Sequence, residues 1–485
     1  MHFCPYCKKT VRSEWSYCHH CNKPLIVNLK ENLNHDSPKD LINESAYFHE
    51  DLYSSNANLK ADSSLFDHGI IEESLNSRLE KIDEEIETKL SQGKSIGNLL
   101  LEKSSLFYLN RDYETCLKIL ETALNNFIAE NDDLNSAITF NEIGLIQEDL
   151  GFFDNAIYNF EKALEFLINL KDHIKLIKVY NNLANVYRLL NDLEYSYEYY
   201  EKALRVAENE NYISEEIKTS SNLVEILFLM GDFDKIERIL RRNLEYFNSI
   251  ADPYGMVITL SKLGKLNYLL GPSKYKTALK FFKESLELTG NIEIGDHFTH
   301  RNKGSLEWES LLYLGKIKLS WKIYEEAKIY LLKSLEAMRN IKEDNDYIEE
   351  GIVLENLGIL FEKVNDKNRS IQYYKLAADL YYRFGEDAKQ ADIKTKIARI
   401  YLNDKGDGNE AINYLEEALD IYRDLNYMKE SAEILEKLGD VYANQNSTDI
   451  AISYFQEAKH YYGELLDNDK VKFLDSKIKL IMNSN

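Results

Sequence analysis

Residues 140–163 read FNEIGLIQEDLGFFDNAIYNFEKA, and residues 180–203 read YNNLANVYRLLNDLEYSYEYYEKA. Laid over each other, Phe140, Ile143, Gly144, Ala156, Phe160 and Ala163 meet Tyr180, Leu183, Ala184, Ser196, Tyr200 and Ala203. The same offsets return in Leu354, Leu357, Gly358, Ser370, Tyr374 and Ala377. A large-large-small group followed twelve residues later by small-large-small needs two helices. A small residue on the first lets the second approach, and large residues fill the groove between them.

Anchoring on the small position of the first helix gives Ser104, Gly144, Ala184, Val224, Gly264, Gly315, Gly358, Ala398 and Gly439. Successive spacings are 40, 40, 40, 40, 51, 43, 40 and 41, which predicts nine helical hairpins over residues 97–462. Val224 is larger than the pattern prefers. With Ile236 and Asn243 in the second helix it marks the weakest unit. A fixed period allows 485 residues to share one continuous core that grows in one dimension. Composition agrees. Apolar residues make up 44%, and with 5 Pro and 20 Gly the chain has few helix breakers. The fold class read from the sequence is all-α, a solenoid of about nine hairpins.

Outside the repeats, residues 67–96 form an N-terminal helix, with apolar spacing at Ile71, Leu75, Leu79, Ile82 and Ile86. Residues 30–66 are rich in Asn, Ser and Asp and read as a flexible linker. Residues 463–485 supply a capping helix through Val471, Phe473, Leu474, Ile478 and Ile481, because a solenoid must cover its last apolar face.

The repeat signature resembles the tetratricopeptide-repeat (TPR) family, in particular its long-period members. Among these are spindle-orientation adaptors and the peptide-sensing Rap-type regulators of bacteria. The resemblance implies a concave groove lined by the first helix of each hairpin, in which such proteins bind peptides or protein surfaces. Positions two before and one after each anchor face that groove in the family. Carried onto this chain, they give Asn182, Asn185, Asn222, Lys262, Lys265, Lys316, Asn356, Lys396, Arg399 and Lys437, with Arg188 one turn on. The middle hairpins are amide-rich, suited to gripping an extended backbone. The later ones are basic in a chain of net charge -23, which points to an acidic partner or a terminal carboxylate. The plainer alternative is a solvated helix face.

A different chemistry opens the chain. Cys4-Pro5-Tyr6-Cys7 and Cys18-His19-His20-Cys21 are two CxxC knuckles separated by ten residues. Each aims two sulfurs at one point, and four thiolates match the tetrahedral preference of zinc in a closed structural site. About thirty residues bury too little apolar surface to fold without such a metal. The pattern resembles the short zinc-ribbon family, with Lys8 and Asn22 in place of the usual knuckle glycines. Residues 1–29 are therefore expected to hold one structural Zn2+ through Cys4, Cys7, Cys18 and Cys21. The alternatives are a redox dithiol pair or a tail without metal. His19 and His20 read as loop residues, since four cysteines complete the site.

Net charge argues against nucleic-acid binding by the repeat body as a function class. Residues 1–30 differ, carrying Lys8, Lys9, Arg12, Lys23 and Lys30 against Glu14. Apolar runs near 18 residues and a secretory leader are missing, so the expected location is cytoplasmic and off the membrane. Cys116 falls at a packing position, and His297 and His300 fall in the extra segment between hairpins five and six. None of the common catalytic motifs is present. The function expected is a non-catalytic scaffold that binds a protein or peptide, with the ribbon as a second docking module. The alternative is a transcription or nucleic-acid-associated regulator that uses the ribbon and senses a peptide with its repeats.

Overall fold

The chain reverses at a fixed interval because one turn type recurs. At Arg111, Asn131, Gly151, Lys171, Asn191, Asn211, Gly231 and Ala251 the backbone takes a positive φ, one such residue every 20 positions. A left-handed residue ends a helix by turning its last carbonyls toward the next amides, and Asn and Gly adopt it at least cost. An aspartate follows six of these residues, and its carboxylate accepts from a backbone N–H at the start of the next helix; for Asp252 that donor is Tyr254, two residues on. Asp112, Asp132, Asp172, Asp192 and Asp232 each accept from a backbone N–H three residues on. Two such reversals make one 40-residue hairpin.

The computed structural model describes His2–Phe3, Thr10–Val11 and residues 68–292, 303–341, 348–402 and 408–483. His2–Phe3 (β1) and Thr10–Val11 (β2) pair antiparallel. Helix α1 is His68–Ser91. Among the described residues, the first and second helices of nine hairpins then alternate as α2 (Gly97–Leu109) and α3 (Tyr113–Glu130), α4 (Asp133–Asp149) and α5 (Phe153–Leu170), α6 (His173–Leu189) and α7 (Leu193–Asn209), and α8 (Ile213–Met230) and α9 (Phe233–Ser249). They continue as α10 (Pro253–Leu269) and α11 (Tyr275–Gly290), α12 (Lys303–Ser320) and α13 (Tyr324–Arg339), α14 (Ile348–Lys363) and α15 (Lys367–Arg383), α16 (Asp387–Ile400) and α17 (Gly408–Asp424), and α18 (Met428–Asn444) and α19 (Thr448–Glu464). Helix α20 is Asn468–Asn483. Two compact units divide within α10, between Thr259 and Leu260.

Each anchor does what its size permits. A Cβ built on Gly144 would lie 2.6 Å from the Phe160 ring, and one on Gly358 would lie 2.5 Å from Tyr374. Both rings are fully buried. The residue twelve beyond the anchor adds a polar lock. Ser196 Oγ donates to the Ala184 carbonyl at 2.7 Å, Ser370 Oγ to that of Gly358 at 2.8 Å, and Cys116 Sγ to that of Ser104 at 3.1 Å. Burial pushes the Cys116 thiol up to about 12, so it stays protonated and packs.

The fourth hairpin inverts the pattern. Val224 and Ile236 are fully buried where others carry small residues, and Ser220 replaces the large residue four before the anchor. Asn243 sits where Ala163 and Ala203 sit elsewhere; its carbonyl accepts from Ser220 Oγ at 3.1 Å and its amide donates to Ser221 Oγ at 3.0 Å. Volume moves from one helix to the other, and the buried amide is satisfied.

At the C-terminus, α20 buries Leu474 and Ile478 as expected, whereas Phe473 is exposed. The anchor-equivalent position on α20 is Lys479, which is exposed. A lysine there does not offer the small surface that the other anchors give to a second helix. The four cysteines at 4, 7, 18 and 21, and His297 and His300, lie outside the described residues. Among the described residues, no helix is long and apolar enough to cross a membrane.

Candidate functional site

The side chains that the sequence places on one face of the first helices are tied across hairpins by a repeated pair of rungs. In the unit that ends at Thr259, Asn182 Nδ2 donates to Asn141 Oδ1 at 2.8 Å, from two before one anchor to three before the preceding one. Asn185 Nδ2 donates to Glu148 Oε1, from one after an anchor to four after the preceding one. Arg188 donates from Nε and Nη2 to Asn185 Oδ1 at 3.1 and 2.7 Å. The unit that begins at Leu260 repeats both rungs with charge. Lys396 pairs with Glu355, and Arg399 Nη2 donates to both oxygens of Glu362 at 2.8 and 2.9 Å. Tyr381 and Tyr374, from a second helix, donate to the same two carboxylates at 3.4 and 3.2 Å.

These pairs correct the expectation of an uncompensated basic strip. Lys265 also holds a carboxylate, Glu309 at 3.1 Å. The counter-ions at Glu309, Glu355 and Glu362 occupy groove positions that counting two before and one after each anchor passes over. Three other expected contacts are turned inward. Asn182 and Lys262 are buried, and the buried Asn356 donates to the Ile352 carbonyl of its own helix at 2.8 Å. Asn222 is partly exposed. Lys316 Nζ lies over Tyr268 and Tyr313, 5.2 and 5.0 Å from their centroids. Burial, with Lys265 nearby, holds its ammonium below the ordinary lysine value. Lys437 is lowered in the same way, by burial and then by Arg399.

The rungs give a direct test. Lys396→Glu with Arg399→Glu sets carboxylates against Glu355 and Glu362. Partly exposed pairs contribute about 0.2–1 kcal/mol each, so the double variant should lose about 1–2 kcal/mol locally. The swap that adds Glu355→Lys and Glu362→Arg should recover it. Hydrogen exchange over α14 and α16 reads both, and a swap as unstable as the double variant would refute the pairing.

Sequence reasoning also missed Glu142 and Glu148, which face the amide-rich part of the site. Glu148 is only 5% exposed. Burial pushes its carboxyl up to about 8, Asp149 pushes the same way, and the Asn185 hydrogen bond and Arg188 oppose them. Burial pushes the Glu142 carboxyl up to about 7, opposed by a hydrogen bond from Asn141. No group of three or more His, Cys, Asp or Glu among the described residues could hold a metal ion.

Known proteins agree with this architecture. Residues 135–209 match the family model described as tetratricopeptide repeat, and residues 402–480 match that of soluble NSF attachment protein, SNAP. The Arabidopsis thaliana protein kinesin light chain-related 3 is 26% identical over 229 residues, which are 45% of this chain and 34% of that protein. The chain thus spans about a third of the curated relative it matches. Among solved structures, the apo form of RapI is similar with a TM-score of 0.50 at 15% identity, over 74% of this chain and 99% of RapI. The apo form of the quorum sensor NprR from B. thuringiensis gives 0.43 at 16%, over 82% of this chain and 97% of that one. The first match covers the second and third hairpins, and the RapI likeness shows the fold: a TPR-type helical repeat.

Proposed function

We propose that this protein is a non-catalytic scaffold that holds a protein or peptide segment along the first-helix faces, working in the cytoplasm. The observation that carries this reading is the rung pattern. Polar side chains of successive first helices are fixed in register by one another, which pre-organises a row of donors and acceptors for an extended chain. An acidic partner no longer follows from the lysines, since Lys265, Lys396 and Arg399 have carboxylates in place. The test is capture of partners from the native cell by the full chain, then titration calorimetry on a captured partner. Asn222→Trp, which obstructs the face, should abolish binding, and Lys162→Ala on a second helix should not. Equal affinity for both variants would reject the groove.

The ribbon is the second docking module of this proposal, followed by a linker and the repeats at the boundaries read from the sequence. Two CxxC pairs supply four thiolates, a donor set suited to a closed zinc site. Cys4, Cys7, Cys18 and Cys21 would hold the ion, whose role is to supply folding free energy. Metal analysis should find about one zinc per chain, lost in Cys4→Ser with Cys18→Ser. Chelation should leave the far-ultraviolet helical signal nearly unchanged. A folded ribbon without metal would refute the assignment.

A further inference from the structure

The last helix turns apolar where the first helices before it are charged. Counted from Lys479, Phe473 and Leu480 stand six before and one after, the offsets held by Glu433 and Asp440 in α18 and by Asp392 and Arg399 in α16. Phe473 is 50% exposed and Leu480 69%. Seven residues along a helix advance about 10 Å and return to nearly the same side, so the two form one strip. Lys472 and Lys479 run beside it at the same interval, and both are exposed. Helix α20 holds four lysines against two aspartates, a net +2 in a chain of −23. Lys470 and Lys477 pair with Glu436 and Asp440 of α18, whereas Lys472 and Lys479 form no ion pair among the described residues. A second observation comes from the reversal just before α20. Leu466, seven residues before Phe473, holds a φ of 59° and is 81% exposed. The other described residues at positive φ are Asn, Gly, Lys, Arg and Ala. A leucine in the left-handed region is strained, and an exposed one gains nothing from burial, which points to a surface that covers it.

We propose that the outer strip of α20, with Leu466 at its near end, docks an acidic amphipathic helix of a partner protein. This goes beyond the groove reading above and does not rest on it. A helix fits because its apolar seam repeats at the interval that separates Phe473 from Leu480. Acidic flanks fit because Lys472 and Lys479 border the strip with no carboxylate of the described chain against them. Charge also decides among occupants. A second copy laid α20 against α20 would set lysines against lysines. An anionic bilayer would attract the two lysines and repel a chain of −23. An acidic helix meets the two cations and covers Phe473 and Leu480 at once.

The probe is a synthetic helix of about three heptads, with leucine along its seam and glutamate on both flanks, titrated against the full chain by fluorescence anisotropy. A second peptide carries lysine on both flanks. The acidic helix should bind, the basic one should not, and binding should weaken as salt rises. Lys472→Glu with Lys479→Glu, and separately Phe473→Ser with Leu480→Ser, should each lower the affinity roughly tenfold or more. All four side chains are exposed, so both variants should keep the helical signal. Leu466→Asn gives a readout that a merely structural residue would not. It relieves the strained leucine, so the melting temperature should rise while the acidic helix binds less well. Asn222→Trp, in the other compact unit, should leave this binding unchanged, which separates the strip from the groove. Equal affinity for the two peptides, no binding, or loss with Asn222→Trp overturns the proposal. So does self-association of the full chain in light scattering, or binding to vesicles of phosphatidylserine and phosphatidylcholine, that Phe473→Ser with Leu480→Ser abolishes. The first would make a second copy the occupant, and the second a bilayer.

Discussion

Gly144→Leu and Gly358→Leu should each unfold the hairpin that carries them. At Gly358 the Cβ alone would lie 2.5 Å from Cδ1 and Cε1 of Tyr374, and at Gly144 it would lie 2.6 and 2.8 Å from Cε1 and Cδ1 of Phe160. Neither ring has solvent to retreat into, because both are fully buried with Ala156 and Ala163, or Ala377, packed alongside. The helices must therefore part, which forfeits the packing of the whole hairpin and also the Ser370 bond to the Gly358 carbonyl. Overpacking alone costs about 1–3 kcal/mol, and separating two helices adds to it, so each variant should lose about 3 kcal/mol or more. Repeats touch only their neighbours, so the loss should stay local. Hydrogen exchange should rise over α4 and α5 in the first variant and over α14 and α15 in the second, with distant hairpins protected. Glu161→Leu, on the exposed side of α5, is the matched control and should be mild. Equal damage from Glu161→Leu would mean that the anchor glycines do not set the helix approach.

The hairpins were legible because steric size is written in the sequence at each position. Gly144, Ala184 and Gly358 can tolerate a ring against the backbone, and no other residue type at that offset would. The reversals were legible in principle too, as Asn or Gly ahead of Asp at multiples of 20 residues, in Asn131-Asp132, Asn191-Asp192 and Gly231-Asp232. The site was read less well, for a physical reason. A one-dimensional count of outward positions assigns each side chain to solvent, but rungs join residues 37 or 41 apart, and only the stacking of hairpins shows that Lys396 meets Glu355 or that Asn185 meets Glu148. Charge counted along one face therefore overstated the field. Burial of Glu148 was equally hidden: a glutamate four past an anchor looks solvated until the next hairpin covers it. Val224 was a milder failure. Its size predicted a weak joint, whereas the volume given up at Ser220 and the amide of Asn243 restore a filled, hydrogen-bonded contact.

Glu148→Gln should make this chain less sensitive to pH, and more stable at pH 8 than the wild type. The ordinary carboxyl value is 4.5, and in the fold it stands at about 8. Below pH 4.5 both folded and unfolded chains carry the proton, and the group has no effect. Between the two values the unfolded chain ionises and the folded one does not, so stability falls as pH rises. Above about 8 the folded carboxyl ionises as well, and the fall stops. Each unit of difference is worth about 1.4 kcal/mol, so Glu148 alone should cost about 4 kcal/mol by pH 8. Glu142, raised to about 7, acts in the same direction. The groups around Glu148 fix the sign. Asp149 on its own helix, which accepts from Tyr108 at 3.0 Å, raises the value, whereas Asn185 and Arg188 from α6 lower it without cancelling burial. A glutamine keeps an oxygen to accept from Asn185 and never ionises. The variant should therefore match the wild type near pH 5 and exceed it near pH 8, read as hydrogen exchange over α4 and α6 at both pH values. An unchanged slope would show that Glu148 already ionises like an exposed carboxylate.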